Sequence, residues 1–473
     1  MGEKVFPRLN GVNPMKIIII GAGKVGKSLA ERLSTESHDV TVVDIDKAVV
    51  EDLVNTCDII GICGNGALYG VEEEAGAKNA DLVIACTHAD EINLLICMLA
   101  KKLGTAHTIA RVRNPEYEQQ LRIMRDDFGL SMAINPEKAT AREISRVLRF
   151  PTAIKLESFA KGRLELLEYL IPVGSRLDGV ALSGLSSSVR AKVLICAVER
   201  GGHVTIPSGD FVLKEGDTIY ITASTQELKN FFSHLGALRA GVNSAIIAGG
   251  SNIGYYLAKE LTDAGIKFTL IDRDPVRCRR LSEQFPDELI INGDATDVEL
   301  LAEEGISKAD AFVSLLGIDE ANILLSMYAV KSGVGKVVAK VNRKSFYDLV
   351  SRSTMTDTIV TPSAITADRI LQYVRSMRTS PENGIKTLHQ LLGGRVEAVE
   401  FTASAQTGLT GKPLAELSIR DDVLIAAIVR MNGRIVIPDG SSEMEDGDSV
   451  IVITMDKSLT TLPDIVRRGG GKK

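Results

Sequence analysis

The sequence predicts an α/β chain in which two doubly wound parallel sheets alternate with two small, β-rich α+β domains. The prediction rests on a duplicated segment, IIIIGAGKVGKSLAERLSTESHDVTVVD at 17–44 and AIIAGGSNIGYYLAKELTDAGIKFTLID at 245–272. Each copy is an apolar strand, a glycine-rich turn, a helix, a second strand and a terminal Asp. One such segment is weak evidence. Two in register, each followed by further matching segments, indicate a duplicated dinucleotide-binding (Rossmann) module.

The residues after the first copy continue the alternation of strands and helices. The predicted elements are a helix at 47–55, strands at 58–63 and 81–87, a helix at 91–103, a strand at 108–112 and a helix at 136–148. Because strands alternate with helices of this length, a parallel doubly wound sheet is expected.

From about residue 150 the pattern changes to short strands separated by turn glycines, as in LELLEYLIPVG and DTIYITA. This pattern returns near the end of the chain, where Ile437-Pro438 and Gly447-Asp448 repeat Ile206-Pro207 and Gly216-Asp217. The predicted order is an extension (1–14), a Rossmann domain (15–149), a β-rich domain (150–237), a second Rossmann domain (242–379), a turn-rich linker (379–384) and a second β-rich domain (385–468).

The composition excludes several functional classes. The net charge of −6 provides no basic field for nucleic acid or anionic lipid, and the 4% aromatic content without Trp argues against stacking platforms for single strands. No apolar run approaches the roughly 18 residues of a membrane span, so the chain is not expected to conduct ions itself. The six cysteines lie in apolar segments without CxxC spacing, as in a reduced cytoplasmic protein, and the six histidines show no metal-ligand pairing.

The first glycine turn is a complete GxGxxG that opens a helix. Its residues are Gly21, Ala22, Gly23, Lys24, Val25 and Gly26. Gly21 permits the tight turn, Gly23 lets the backbone approach a pyrophosphate, and Gly26 lets the helix pack closely on the strand. The pyrophosphate is expected at the helix N-terminus, where free N–H groups favour an anion. Asp44 is placed to accept hydrogen bonds from ribose hydroxyls, which favours NAD or an adenosine ribose over a 2′-phosphate.

Four further residues of this domain are candidates for nucleotide contact. Asn65 follows the third strand and serves either the adenine edge or an ordinary turn. Thr87 and His88 follow the fourth strand at the sheet edge where ligands bind, although His88 also fits a solvated loop. Arg111 ends the fifth strand and reaches either a phosphate or a structural ion-pair partner. The neighbouring Asp90-Glu91 is interpreted as a helix N-terminal pair that complements the helix dipole.

The second glycine turn is chemically different from the first. Its residues are Gly249, Gly250, Ser251, Asn252, Ile253 and Gly254. Ser251 stands where the second essential glycine would lie, so its side chain either weakens binding or donates to a phosphate. Asp272 retains the ribose position. Arg273 and Arg277, which follow it, are either phosphate ligands or surface charges.

Four other positions distinguish the two copies. Asp294 is aligned with Gly66, Lys340 takes the place of Arg111, and Leu315-Leu316 are aligned with Thr87-His88. The two sites are therefore expected to differ in affinity or ligand, and an empty second site is one of the alternatives.

No candidate catalytic pair accompanies the nucleotide motifs. His203 and His234 of the first β-rich domain have no counterparts in the second. An NAD-dependent oxidoreductase, which the same fold supports, needs an acid/base and a substrate anchor beside the nicotinamide. A nucleotide-responsive regulator is therefore favoured over an oxidoreductase and over a scaffold that has lost its ligand.

The duplicated blocks GAGKVG…VTVVDID, ADLVIACTHADEINLLICMLAKKLG and IARVRNPEY resemble the RCK (KTN) family, which regulates potassium channels and transporters. The most specific block runs from Thr87 to Asn93 and recurs at Asp319-Glu320-Ala321-Asn322. The resemblance covers about residues 15–468 and extends to the alternation of Rossmann (RCK-N) and small C-terminal (RCK-C) domains.

The resemblance implies a non-enzymatic regulatory subunit. It is expected in the cytoplasm, held at the inner face of the cell membrane by a Trk-type potassium-transporting subunit. NAD(H) is the implied ligand, with ATP or ADP as alternatives in either Rossmann site. A homo-oligomeric ring, a tetramer, is the implied assembly, and ligand binding is expected to change its shape and so gate ion flux.

Overall fold

The computed structural model describes residues 14–36, 38–125, 127–149, 155–159, 164–189, 191–236, 241–350, 356–377, 385–391, 395–456 and 459–467. The predicted N-terminal extension, apart from Pro14, and the predicted linker at 379–384 lie outside these residues. The chain divides into two compact units, Met1–Ser145 with Asn243–Leu371 and Arg146–Val242 with Gln372–Lys473. The first unit contains both parallel sheets, and the second contains both small domains.

The first parallel sheet has six strands in the order β3-β2-β1-β4-β5-β6. Its elements are β1 Lys16–Ile20, α1 Lys24–Thr35, β2 Asp39–Asp44, α2 Lys47–Thr56, β3 Ile60–Cys63, α3 Tyr69–Glu74, β4 Leu82–Ala85, α4 Asp90–Leu103, β5 His107–Arg111, α5 Tyr117–Met124, β6 Met132–Ile134 and α6 Pro136–Arg149. The four isoleucines of β1 are buried because helices cover both faces of a parallel sheet. The order reverses between β1 and β4, where ligands bind in this fold.

The first small domain is a five-stranded antiparallel sheet in the order β10-β9-β11-β8-β7. Its elements are β7 Lys155–Phe159, β8 Leu164–Leu170, α7 Leu182–Val189, β9 Leu194–Arg200, β10 His203–Thr205, β11 Thr218–Ser224 and α8 Thr225–Leu235. The predicted anchor Gly216 has a positive φ of 83°, and the following Asp217 is buried and paired with Arg200 at 2.7 Å.

The second parallel sheet repeats the first in the order β14-β13-β12-β15-β16-β17. Its elements are β12 Ser244–Ala248, α9 Asn252–Asp263, β13 Lys267–Asp272, α10 Pro275–Gln284, β14 Leu289–Asn292, α11 Val298–Glu303, β15 Ala311–Ser314, α12 Asp319–Lys331, β16 Lys336–Lys340, α13 Lys344–Val350, β17 Thr358–Val360 and α14 Pro362–Met377. Both predicted doubly wound sheets are therefore confirmed.

The second small domain repeats the strand order of the first, β18-β19-β22-β20-β21. Its strands are β18 Ile385–Leu391, β19 Val396–Thr402, β20 Val423–Val429, β21 Ile435–Val436 and β22 Ser449–Thr454. Gly447 again has a positive φ of 83° before a buried Asp448 that pairs with Arg430. Apolar side chains of both small domains form one shared core, in which Phe159 and Tyr220 pack with Leu391 and Ile451.

The helices of the described part of the chain are too short or too polar to cross a bilayer. In the same part, no group of three or more His, Cys, Asp or Glu side chains is arranged to hold a metal ion.

Candidate functional site

The first glycine turn passes directly over the end of β4. Gly21 has a φ of +102°, and its N–H donates to the Val43 carbonyl at 2.9 Å. A Cβ at Gly21 would lie 2.8 Å from the carbonyl carbon of Cys86 and from the nitrogen of Thr87. Both the conformation and the close approach therefore require glycine here.

The next two glycines of the turn have different surroundings. A Cβ at Gly26 would lie 1.9 Å from the Gly21 carbonyl oxygen. The close packing of α1 on the turn therefore leaves no room for a side chain at this position. Gly23 is the N-cap of α1, is exposed, and would meet no atom within 4 Å if it carried a Cβ. The first N–H groups of α1 therefore face open space beside the exposed Lys24, which suits an anionic phosphate.

Asp44 joins the glycine turn to the end of β2. Its Oδ2 accepts a hydrogen bond from Ala22 N at 2.5 Å, and its Oδ1 accepts one from Asp46 N at 2.9 Å. Each carboxylate oxygen keeps a second lone pair, and the side chain is only half-buried. Asp44 can thus hold the turn in place and also accept from a ribose hydroxyl.

The loop after β3 is a tight turn closed by Asn65. The Asn65 Oδ1 accepts from Ala67 N at 3.1 Å, and the residue is exposed. Gly66 packs against β1, because a Cβ there would lie 2.2 Å from Cγ2 of Ile20. Two interpretations were left open for Asn65, a contact with the adenine edge and a turn. The turn is present, and it uses the Oδ1 atom of the side chain but not the Nδ2 group.

Asn93 organises the carboxyl ends of β4 and β5. Its Oδ1 accepts from both the backbone N–H and the hydroxyl of Thr87, at 2.8 Å each, and its Nδ2 donates to the Arg111 carbonyl at 2.8 Å. The Thr87 hydroxyl is thereby already engaged, whereas His88 is exposed. Asn93 was not among the predicted site residues. Its recurrence in the duplicated block was the signal that pointed to it.

Asp90 is the first residue of α4, as expected, and it also fixes the loop after β5. Its Oδ2 accepts from the backbone N–H groups of Arg113 and Asn114 at 2.8 Å each. Asp319 of the second sheet makes the same bonds to Asn342 and Arg343. Burial would raise the pKa of Asp319, but the N–H donors and the Arg343 charge outweigh it and lower the pKa.

Arg111 forms an ion pair with Glu137 at the start of α6. The distance from Arg111 Nη2 to Glu137 Oε1 is 3.6 Å, and both side chains are largely buried. Burial raises the pKa of Glu137, although the Arg111 charge opposes this effect. The ion-pair interpretation of Arg111 is therefore confirmed, and contact of the same side chain with a phosphate stays a prediction.

The second glycine turn has the same backbone as the first. Gly249 has a φ of +110°, and a Cβ at Gly254 would lie 2.3 Å from the Gly249 carbonyl oxygen. Ser251 is the N-cap of α9, and its hydroxyl makes no capping hydrogen bond. Gly250 has no room for a side chain, because a Cβ there would lie 2.8 Å from Cδ1 of Leu281. Asn252 and Ile253 follow as the first residues of α9.

In the second site the carboxylate at the predicted ribose position, Asp272, is already paired with an arginine. Asp272 accepts from Gly250 N at 2.7 Å and from Asp274 N at 2.9 Å, as Asp44 does in the first site. In addition, Arg277 Nη1 lies 2.9 Å from each carboxylate oxygen of Asp272. The residue equivalent to Arg277 in α2 is Val49, so the first site has no such pair.

The alignment of Asp294 with Gly66 is wrong. In the first sheet Cys63 lies opposite Asp44, and in the second Asn292 lies opposite Asp272. The second copy therefore has one extra residue between β13 and the end of β14, which shifts the equivalent positions by one from there to Lys340 at the end of β16. Asp294 takes the place of Asn65, and its Oδ1 accepts from Thr296 N at 2.9 Å as the Asn65 Oδ1 accepts from Ala67 N.

The same shift corrects the alignment of Leu315-Leu316 with Thr87-His88. Leu316 N donates to Asn322 Oδ1 at 2.8 Å, which is the bond that Thr87 N makes to Asn93. Leu316 therefore replaces Thr87, Leu315 replaces the buried Cys86, and Gly317 replaces His88. The second site therefore has no side-chain polar group at the positions of Thr87 and His88, and the hydroxyl bond to the asparagine comes instead from Ser314, whose Oγ donates to Asn322 Oδ1 at 2.7 Å.

Lys340 ends β16 as Arg111 ends β5, as predicted. Its Nζ donates to the Leu315 carbonyl at 3.0 Å, and the side chain is buried. Burial lowers the pKa of Lys340. The start of α14 has Ser363 where α6 has Glu137, so within the described part of the chain Lys340 makes no equivalent of the ion pair between Arg111 and Glu137. Its ammonium is directed to a backbone carbonyl.

Comparison with known proteins agrees with this duplicated architecture. The TrkA-N domain model matches residues 17–136 and 245–362, and the TrkA-C domain model matches 166–236 and 398–465. The chain is 33% identical over 453 residues to a Trk system potassium uptake protein TrkA homolog of Archaeoglobus fulgidus, covering 96% of this chain and 100% of the relative. It is 32% identical to the TrkA protein of Haemophilus influenzae, covering 95% and 98%.

Solved structures share the fold along almost the whole chain. The crystal structure of the GsuK RCK domain superposes with a TM-score of 0.59 at 21% identity, covering 94% of this chain and 93% of the other. The GsuK channel bound to NAD superposes with a TM-score of 0.58 at 20% identity, covering 95% and 79%. The chain belongs to the TrkA family of Trk system potassium uptake proteins.

Proposed function

We propose that this chain is the regulatory subunit of a Trk-type potassium uptake system and that it binds a nucleotide in its first Rossmann domain. The observation that carries the proposal is the first glycine turn. There no atom lies within 4 Å of a Cβ built at Gly23, before the N-terminus of α1. Each carboxylate oxygen of Asp44 accepts one backbone hydrogen bond and can accept another. The family, whose relatives are named potassium uptake proteins over nearly their full length, supports regulation of transport rather than hydride transfer.

NAD(H) is the proposed ligand of the first site, and ATP and ADP are the alternatives. All of them carry an adenosine ribose, whose hydroxyls suit the Asp44 carboxylate, and a pyrophosphate, which suits the N-terminus of α1. The likeness of the fold to a channel solved with NAD supports the first choice. The cofactor-binding set proposed for this site comprises Gly21, Ala22, Gly23, Lys24, Val25, Gly26, Asp44, Asn65, Thr87, His88 and Arg111.

The proposed partner is a membrane-embedded potassium-transporting subunit, which places this chain at the cytoplasmic face of the membrane. Nucleotide binding acts on the transporter by shifting the population of conformations of the regulator. A ligand shifts such an equilibrium only by its difference in affinity for the two states, and about 5.5 kcal/mol takes 1:99 to 99:1. Several sites in one assembly supply this energy jointly.

The proposed assembly is a homo-oligomeric ring, a tetramer of this chain. It is supported by exposed apolar side chains at equivalent positions of α4 and α12. Leu95 and Met98 are 48% and 40% exposed, and their counterparts Leu324 and Met327 are 65% and 39% exposed. Such paired apolar surfaces suit contacts with further copies of the chain. Two contact surfaces per chain allow a ring to close.

The test is calorimetric titration of the full-length protein with NAD, NADH, ATP and ADP. An Asp44→Ala variant tests the first site, and Asp272→Ala serves as the matched control in the second. Binding that is lost in the first variant and kept in the second supports the proposal and names the ligand. Absence of binding by all four nucleotides would remove nucleotide gating and leave a regulator driven by something else.

The link to transport needs a second measurement. The wild type and the Asp44→Ala variant would be added to proteoliposomes that contain the Trk-type membrane subunit, with and without the nucleotide. Potassium flux that responds to nucleotide only with the wild type supports regulation. Flux that is unchanged by the protein in every condition would separate nucleotide binding from transport.

A further inference from the structure

Two ion pairs join the Rossmann domains within their unit. Arg32 of α1 pairs through Nη1 with Asp368 of α14. Arg142 of α6 pairs with Glu260 of α9, with Nε 3.1 Å from Oε1. Each pair thus joins the helix after a glycine turn in one domain to the last helix of the other domain.

The two pairs connect equivalent positions with the charges reversed. Both α1 and α9 begin immediately after the third residue of the glycine turn, so Arg32 corresponds to Glu260. Both α6 and α14 begin at a proline, so Arg142 corresponds to Asp368. The first domain therefore presents arginine at both contact positions, whereas the second presents a carboxylate at both.

This arrangement discriminates between unlike and like pairs of domains. Domains that share one fold have similar pairing surfaces, so a domain from a second copy of the chain competes for the same contact. Two first domains would place Arg32 against Arg142, and two second domains would place Glu260 against Asp368. Only an unlike pair sets opposite charges at both positions, and repulsion against the wrong partner is a recognised source of specificity.

We propose that these charge-reversed pairs select the second Rossmann domain as the partner of the first and exclude the like domain of a second chain. One hydrogen bond between the two domains also requires a first domain paired with a second domain. In it, Asn135 Nδ2 of the first domain donates to the Tyr256 hydroxyl of the second at 2.9 Å. The equivalent positions are Thr361 and Ser28, whose short side chains cannot reproduce this contact. The duplicated chain thereby keeps its two domains together while copies assemble at other surfaces.

The test uses two variants of the full-length chain that both keep two opposite-charge pairs between the domains. The double variant R142E/E260R reverses one pair only, so a first domain then carries Arg32 and a carboxylate at position 142 and becomes complementary to itself. The quadruple variant R32E/R142E/E260R/D368R reverses both pairs, so like domains still repel. Equal thermal midpoints for the three proteins verify that each one folds.

The readout is the pairing of like domains between chains. Unlabelled and ¹⁵N-labelled chains of each protein are unfolded, mixed, refolded and treated with a lysine crosslinker. Mass spectrometry then counts mixed-isotope links between Lys27 of α1 and Lys138 of α6. We expect at least about a fivefold increase over the wild type in the double variant and no increase in the quadruple variant. No increase in the double variant, or an equal increase in both, would overturn the proposal.

Discussion

Arg277 donates from one guanidinium nitrogen to both carboxylate oxygens of Asp272, at 2.9 Å each. Among the described residues, the equivalent carboxylate in the first site, Asp44, accepts only from backbone N–H groups, because Val49 stands in the place of Arg277. The two sites therefore share a backbone but differ in what a ribose would meet. In the second site a ribose hydroxyl must displace a charge-assisted pair before it can bind.

This difference predicts that the wild-type chain binds one nucleotide tightly and that Arg277→Val adds a second binding event. The valine copies the first site and frees Asp272 for the ribose hydroxyls. Calorimetric stoichiometry measures the result, and Arg273→Val, at the exposed neighbouring arginine, is the matched control. Two equal sites in the wild type, or one site in Arg277→Val, would contradict this interpretation.

The first glycine turn predicts that two similar substitutions have opposite consequences. Gly23→Ser adds a side chain where no atom lies within 4 Å and where φ is −66°, so the thermal midpoint should not change. Nucleotide affinity should fall about tenfold or more, because the side chain occupies the space over the N-terminus of α1. Gly26→Ala instead places a Cβ 1.9 Å from a backbone oxygen and should cost about 3 kcal/mol of stability or more.

The glycine prediction is checked by thermal unfolding and calorimetry on the same samples. If Gly23→Ser binds NAD, ATP and ADP like the wild type, the open face of α1 is not the phosphate site. If Gly26→Ala unfolds at the wild-type temperature, the close packing of α1 on the turn is not rigid.

The parallel sheets could be predicted from the sequence because their signals are local. The isoleucines of β1, the glycine turns and the terminal Asp of the second strand recur at fixed spacing, and the observed strands fall within a few residues of the predicted ones. The short polar helix α5 had no such signal, since YEQQLRIM has few apolar positions, and it was not predicted.

The details of the second site could not be read from the sequence for a different reason. A single inserted residue before Asn292 shifts the equivalent positions by one from there to the end of β16, and aligning the two copies by their glycine turns does not show this shift. The misplacement of Asp294 and of Leu315-Leu316 follows directly. Whether Arg277 faces Asp272 or solvent depends on a side-chain conformation, which spacing does not specify.

The buried side chain of Glu72 predicts that the stability of the first Rossmann domain falls as the pH rises. Its side chain is buried on α3, both carboxyl oxygens have no hydrogen-bond partner among the described residues, and burial raises the pKa to about 8. Because the unfolded carboxyl titrates near 4.5, the domain should lose stability as pH rises from about 4.5 to about 8. The equivalent residue of the second domain is Leu301, which is fully buried in an apolar core.

Glu72→Leu should therefore stabilise the protein by a few kcal/mol at pH 9 and by much less at pH 5, since each pKa unit is worth about 1.4 kcal/mol. Urea unfolding at the two pH values measures the difference. Glu73→Leu, at the exposed neighbouring position, is the control and should show no such pH dependence. A gain that is equal at both pH values would mean that the benefit is apolar packing and not the loss of a buried charge.

The buried ion pair between Arg375 of α14 and Glu397 of β19 predicts a large cost for removing one partner. The distance from Arg375 Nη1 to Glu397 Oε2 is 2.6 Å, and the side chains are only 5% and 1% exposed. Glu397→Ala leaves a buried guanidinium without this carboxylate and should cost about 3–5 kcal/mol. Glu416→Ala, on the surface of the same domain, should change stability by less than about 0.5 kcal/mol.

The double variant R375M/E397L tests whether the ion pair itself stabilises the fold or whether the main effect is the cost of leaving one buried charge unpaired. Replacing both charges with apolar side chains of similar size removes the desolvation cost together with the attraction, so it should destabilise less than Glu397→Ala alone. Urea unfolding of R375M, E397L and the double variant, beside Glu397→Ala, measures this coupling. If the double variant is as unstable as the sum of its single changes, the two side chains do not act as a pair, and their other contacts hold α14 against β19.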